Sequence, residues 1–199
     1  MSIINILGLD PAICNTGLAI GRYNLDTGEL DIKRVSLVQT ENAAGKTVRK
    51  ASDDYRRARA MLFGICRFIK EHGATFAVAE VPTGTQSARG AMSNGICCGV
   101  LAGVPLPLIE VSPTEVKLAS AGKKTASKDE IIAWAVKRWP DAGWMRHERN
   151  GKNYKKGDLM NDNEHMADAC AAIAAGIETT QFAQAIALMA RAPAAALPA

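Results

Sequence analysis

The sequence predicts an α/β fold with a central mixed five-stranded sheet, in the order βββαβαβα, flanked by helices. Three observations carry this. The first forty residues hold three extended, partly alternating apolar stretches. Beyond them the chain alternates between longer helix-period segments and short apolar runs. The helical segments are punctuated by cap and stop residues where they should begin and end.

Taken in order, IINILGLD is an apolar run ending in an acid and is expected to be the central, most buried strand. TGLAIGRYNL and ELDIKRVSLVQ follow, with Asp26-Thr27-Gly28 as the turn between them, and complete an antiparallel meander. Ser52 or Asp53 is placed to cap a helix running to about His72, with Gly73 as its stop. FAVAEVP reads as the fourth strand, the small-residue segment from about Gln86 to Gly103 as a closely packing helix, and LPLIEVS as the fifth strand. SKDEIIAWAVKRW is a helix capped by Ser127 and closed before Pro140. Asp141 to Asn163 is polar and basic, hence a long loop, and Glu164 to about Glu178 is an Ala-rich helix, with a further helical stretch to Arg191. Residues 1–190 are expected to form a single domain and 191–199, rich in Ala and Pro, a mobile tail.

The 199 residues are 48% hydrophobic and 22% charged, the balance of an ordinary globular chain, which excludes wholesale disorder and collagen-like repeats. The most apolar run, around Val100 to Val111, is broken by Pro105, Pro107 and Glu110, so no membrane span is expected. The opening MSIINILGLD has no basic leader, and five cysteines cannot all pair internally, which points to a reducing cytoplasm. The net charge of +4 hides a segregation. Lys33 to Lys70 holds ten Lys or Arg against three acids, and Lys117 to Lys156 eleven against four, each block a net +7, so the remainder is −10. Two basic blocks around an acidic centre are the one-dimensional pattern of a polyanion-binding face with a cation site, although solvated helix faces give the same count.

Motifs sharpen the choice. Asp10 ends the first strand and Glu80 the fourth, where a carboxylate among apolar residues is costly unless it holds a cation or several donors. If those strands are neighbours, the two side chains converge on one edge. Asp168 lies in EHMADACAAIAAG, whose alanines allow close packing against the sheet. His165 and Glu164 stand three and four residues before it, so either can share its helix face and complete the site. Such oxygen-rich sets suit Mg²⁺ in a two-metal phosphodiesterase centre.

With LGLDPAICNTGLAI, AEVP and HMADACAAI in this order, the chain resembles the ribonuclease H-like superfamily and, within it, the RuvC family of Holliday junction resolvases, over roughly Ile3 to Gly176. Gly95 and Gly99 fall where that family's following helix carries paired glycines, and VSPTEVK resembles its segment after the fifth strand. The resemblance implies a ribonuclease H-like fold and catalytic roles for Asp10, Glu80, His165 and Asp168. It implies catalytic support or DNA contact for Lys117 and Lys128. It further implies two Mg²⁺ ions per site, with Mn²⁺ substituting, and hydrolysis leaving 5′-phosphate and 3′-hydroxyl ends. Branched DNA would be the partner, bound by a homodimer because two strands must be cut symmetrically. The family pattern is not followed at Ala12, where a Gly is usual, nor at Thr83, where many relatives carry an aromatic. The long basic segment Trp144 to Asn163 resembles resolvases of viral rather than typical cellular kind.

Within the basic blocks, Lys117, Lys123, Lys124, Lys128, Arg146, Arg149, Lys152, Lys155 and Lys156 are the expected phosphate contacts. Tyr154 sits among the last of these, in RHERNGKNYKK. Other signals are set aside. AAGKT at Ala43 to Thr47 lacks the upstream glycine of a phosphate loop, no CxxC pair supports zinc, and Trp134, Trp139 and Trp144 read as core or loop anchors. The alternatives are the same chemistry on flaps, forks or R-loops, a catalytically silent DNA-binding module, and an actin-like ATPase or sugar kinase, for which the chain has only one lobe's length.

Overall fold

Five strands pair in the order β3-β2-β1-β4-β5 in the computed structural model, which describes residues 3–43 and 47–191. They are β1 (Ile3–Asp10), β2 (Asn15–Asn24), β3 (Leu30–Gln39), β4 (Phe76–Glu80) and β5 (Leu108–Val111). The first three form the expected antiparallel meander, whereas β4 runs parallel to both β1 and β5, so the sheet is mixed and β1 lies at its centre. Parallel neighbours need crossovers, and helices α1 (Lys50–His72) and α2 (Ala88–Ala102) supply them on either side of β4.

Because side chains alternate along a strand, β1 feeds two cores. Leu7 and Leu9 join Leu18 and Ile20 of β2, Met61, Ile65 and Phe68 of α1, and Val100 and Leu101 of α2. Ile4 and Ile6 face the other layer, made by helices α3 (Pro113–Ala121), α4 (Lys128–Arg138), α5 (Asn163–Gly176) and α6 (Thr180–Arg191). α5 lies hard against the sheet. A Cβ on Gly8 would stand 2.1 Å from the Ala169 carbonyl oxygen, and one on Gly17 only 1.9 Å from that of His165. The two strand glycines and the alanines of α5 are therefore complementary: each removes the bulk that would keep helix and sheet apart. This contact fixes where α5 delivers its polar residues.

Several expectations need correction. α1 starts at Lys50, with Arg49 as an N-cap making no side-chain cap bond. Ser52 and Asp53 do not cap it, because Asp53 is drawn instead to Arg56 (2.7 Å) and to the Ala43 amide (3.2 Å). Gly73 does end α1, at φ 62°. The segment after β5 is itself a helix, α3, with Pro113 in its first turn and a Ser112–Glu115 capping box. Ser127 caps α4 with Glu130 as expected. The stretch between α4 and α5 is not an open loop: it folds back on itself, with Arg146 and Leu159 in an antiparallel bridge. Of the cysteines, Cys97 and Cys170 are buried and Cys14 is exposed. Trp139 and Trp144 are buried anchors, the Trp144 Nε1–H donating to the Trp139 carbonyl at 2.8 Å. Among the described residues no helix is long and apolar enough to cross a membrane. Residues 192–199 of the expected tail, and 44–46 within AAGKT, lie outside the described residues.

Candidate active site

Asp10 and Glu80 end adjacent parallel strands. Leu9 pairs with Ala79 across β1 and β4, so the next residues, Asp10 and Glu80, stand side by side at the sheet's edge. Both line a cleft of about 340 Å³ with Pro11, Thr83, Thr85 and Asn94. α5, pressed on Gly17 through the His165 backbone, brings its first turns to the same edge. There His165 Nδ1 lies 2.6 Å from Asp10 Oδ2.

The electrostatics are those of crowded acids. Burial, then the neighbouring Asp10 carboxylate, pushes Glu80 up to about 7, with Lys117 pulling the other way. Asp168 is also pushed up to about 7, first by burial, then by Asp10, Glu80 and Glu164, against a smaller opposing effect of His165. The hydrogen bond to Asp10 is the main reason His165 holds its proton above the ordinary imidazole range. Glu164 is engaged elsewhere, in an ion pair with Lys128 that also holds the lysine above its usual value. The sequence left His165 and Glu164 as alternatives beside Asp168. The structure gives His165 to Asp10 and Glu164 to Lys128.

Among the described residues, no three His, Cys, Asp or Glu side chains close as one compact ligand cluster. The donor set nevertheless fits a hard divalent cation. Three carboxylates and an imidazole face one edge, and two of the carboxylates resist ionisation through burial first and the neighbouring carboxylate charges second, a load that a bound cation would relieve. Asp10, Glu80 and Asp168 would hold the ion, with His165 adjoining through Asp10.

The expected phosphate contacts fall in three places. Lys117 is half-buried on α3, near Glu80. Lys123 and Lys124 are exposed in the α3–α4 connection, Lys123 paired with Glu130, and Lys128 opens α4. Arg149, Lys152, Lys155 and Lys156 are exposed on the folded-back segment before α5, while Arg146 donates to the Gly157 carbonyl at 2.8 Å.

Two polar residues that the sequence did not single out organise this edge. Arg57, 1% exposed, donates to the carbonyl of Ile13 (3.0 Å), the hydroxyl of Thr40 (2.9 Å) and the side-chain oxygen of Asn42 (3.0 Å), and touches Cys14 Sγ. It thus ties the loop following Asp10 to the end of β3. The available signal was its spacing: Arg57, Met61, Ile65 and Phe68 form one helical stripe, so an arginine occupies a core position. Asn163, fully buried at the head of α5, accepts from the Met145 amide and donates to the Met145 and Met160 carbonyls, each at 2.8 Å. Nothing in its neighbourhood marks it in the sequence.

No family model matches the sequence, and no curated protein matches it. Solved structures do match. The chain is similar to RuvC of Thermus thermophilus, at TM-score 0.60 and 16% identity over 94% of this chain and 97% of that one. The same organism's RuvC in complex with a Holliday junction substrate gives 0.58 and 18%, over 86% and 92%. The chain has the ribonuclease H-like fold of RuvC. The yeast mitochondrial Holliday junction resolvase Ydc2 is similar too, at 0.54 and 12%, over 87% of this chain and 79% of that one. In this RuvC-like frame the carboxylate edge lies at the carboxyl ends of β1 and β4, overlaid by α5.

Proposed function

We propose that the chain is a divalent-metal-dependent endonuclease that resolves four-way DNA junctions. The observation that carries the reading is the meeting of Asp10, Glu80 and Asp168 at one sheet edge of a RuvC-like fold, with two of the three kept near neutrality by burial and mutual repulsion. Bound there, one or two Mg²⁺ ions, or Mn²⁺, would supply Lewis-acid stabilisation of the scissile phosphate and a water of lowered pKa. Asp10, Glu80 and Asp168 provide the oxygen ligands. His165 orients the Asp10 carboxylate through Nδ1 and holds a proton there. Lys117, beside Glu80, faces the approaching phosphate charge, and Lys128, kept cationic by Glu164, extends that positive field. Hydrolysis at this site would leave 5′-phosphate and 3′-hydroxyl ends.

Residues 1–190 act in this reading as one nuclease domain. Two copies act together, because symmetric resolution needs two sites. An apolar groove of about 940 Å³ between α1 and α2, lined by Tyr55, Ala58, Leu62, Met92 and Ile96, supports a second copy of the chain docking there. Five free thiols suit a reducing compartment. The test is cleavage of four-way, three-way and linear DNA of one sequence in Mg²⁺. Symmetric nicks confined to the four-way substrate are expected. Equal cutting of all three would replace junction selectivity with general nuclease activity, and cutting of the three-way substrate alone would shift the substrate to forks or flaps.

A further inference from the structure

The segment between α4 and α5 is built as a finger. Beyond the Arg146–Leu159 bridge, the His147 amide donates to Asp158 (2.9 Å), the Gly157 amide to His147 (2.8 Å) and the Met160 amide to Met145 (3.1 Å), so the two limbs run side by side. The tip is closed by the Gly151 amide on the Tyr154 carbonyl (2.9 Å) and the Lys156 amide on Asn150 Oδ1 (2.8 Å). Its root is clamped by Asn163, two residues before His165.

Across the finger the His147 and Tyr154 rings stack, with centroids 3.6 Å apart and planes within 10°. Tyr154 remains 40% exposed. Gly151 makes room for it, since a Cβ there would stand 2.3 Å from the ring. A cavity of about 490 Å³ opens beside the stack, with Met145 and Met160 as apolar lining and Glu148 and Arg149 as polar lining. Among the described residues, Arg149, Lys152, Lys155 and Lys156 form no ion pair.

An exposed aromatic stack on a finger that carries four exposed cations without ion pairs suits a ligand that is at once flat, π-faced and anionic. A nucleotide has all three properties. A paired base in duplex DNA is covered on both faces by its neighbours, so the base that offers a face is an unpaired one. We propose that the finger is a nucleobase-stacking site: Tyr154, backed by His147, receives one unpaired base of bound DNA, while Arg149, Lys152, Lys155 and Lys156 hold the adjoining phosphates. Glu148 stands in the cavity as an acceptor for a base amino group. The inference rests on the reading of DNA as the substrate and adds the element that senses its unpaired bases.

The experiment uses the full-length chain in EDTA. One probe is a single-stranded oligothymidylate carrying one 2-aminopurine, and the other a four-way junction with one unpaired, bulged 2-aminopurine at the branch. Fluorescence quenching reports stacking. The unaltered chain should quench both probes. Tyr154→Ala should lose the quenching and bind the single strand about 5- to 150-fold more weakly, with its salt dependence unchanged. Tyr154→Trp should keep the quenching, and Gly151→Ala, which displaces the ring without removing it, should reduce it. Replacing Lys152, Lys155 and Lys156 together by Ala should flatten the salt dependence but leave quenching at saturation. Melting curves matching that of the unaltered chain show that each variant is folded. Tyr154→Ala quenching and binding like the unaltered chain would overturn the stacking site. If the unaltered chain cuts junctions in Mg²⁺ while that result holds, only the stacking inference fails. If it binds neither probe, the DNA reading fails with it.

Discussion

His165 is bonded to Asp10 rather than simply placed beside Asp168, and that geometry decides what its replacement should do. His165→Asp returns an oxygen donor at the same position on α5, whereas His165→Ala leaves the Asp10 carboxylate unoriented. Single-turnover cleavage should therefore fall roughly tenfold or more for Ala and less for Asp. Equal rates for His165→Ala and the unaltered chain would assign the imidazole no part in the site. Glu80 and Asp168 make a second prediction. Their folded-state pKa values, about 7, lie above those of an unfolded carboxyl, so the folded chain binds more protons. The cost is absent below the unfolded pKa, grows as pH rises through the interval, and is complete above about 7. Asp54 runs the other way: the Arg89 guanidinium holds it well below the carboxylate range, and its contribution is complete above the unfolded carboxyl pKa and is lost progressively as pH falls below it. Between pH 5 and 8 the first pair dominates. In EDTA at pH 8, Glu80→Gln should thus melt about 2–4 °C above the unaltered chain, an advantage of about 1 kcal/mol after discounting for partial solvent exposure. At pH 5 the difference should vanish. A destabilised Glu80→Gln at pH 8 would show that the carboxylate is not under strain.

The elements differ in how openly the sequence declared them. The strands were legible because apolar runs end abruptly in Asp10 and Glu80, and α4 because Ser127 and Glu130 bracket its start. α3 carries the same kind of signal, Ser112 with Glu115 and an intervening Pro113, but nine residues show too little periodicity for the cap alone to mark a helix. The finger and Arg57 were hidden for a stronger reason. Their order comes from backbone groups of distant segments, Ile13 and Thr40 for Arg57 and Met145 for Asn163, and no local pattern encodes those partners. Arg57→Met should keep the apolar stripe of α1 yet leave the Ile13 carbonyl with fewer donors, costing about 3 kcal/mol in urea unfolding. Cleavage should fall further than stability predicts, because the loop after Asp10 loses its tie. Unchanged stability would mean that water replaces the guanidinium. For the finger, each phosphate contact to duplex DNA contributes about 0.9 to the slope of log affinity against log salt. Replacing Lys152, Lys155 and Lys156 by Ala should lower that slope by up to about 3 on an uncleaved junction in Ca²⁺. An unchanged slope would move the DNA to the Lys33 to Lys70 block or to Lys117 to Arg138.

At the scale of the molecule, the sheet order places the site. A meander puts β1 beside β2, the first crossover returns β4 to the free side of β1, and the glycines of β1 and β2 admit α5 across both. Three acids separated by up to 158 positions in sequence are thereby gathered at one edge, with Lys117 of α3 and Lys128 of α4 close by. The central claim is that these acids serve chemistry rather than folding or DNA affinity. The direct test measures junction affinity and Mg²⁺-dependent cleavage side by side for Asp10→Asn, Glu80→Gln and Asp168→Asn. Each substitution removes charge from the edge and leaves the basic surface intact. Cleavage should fall by about a thousandfold or more while junction affinity stays within about threefold of the unaltered chain. Full cleavage by any two of the three variants would contradict the account.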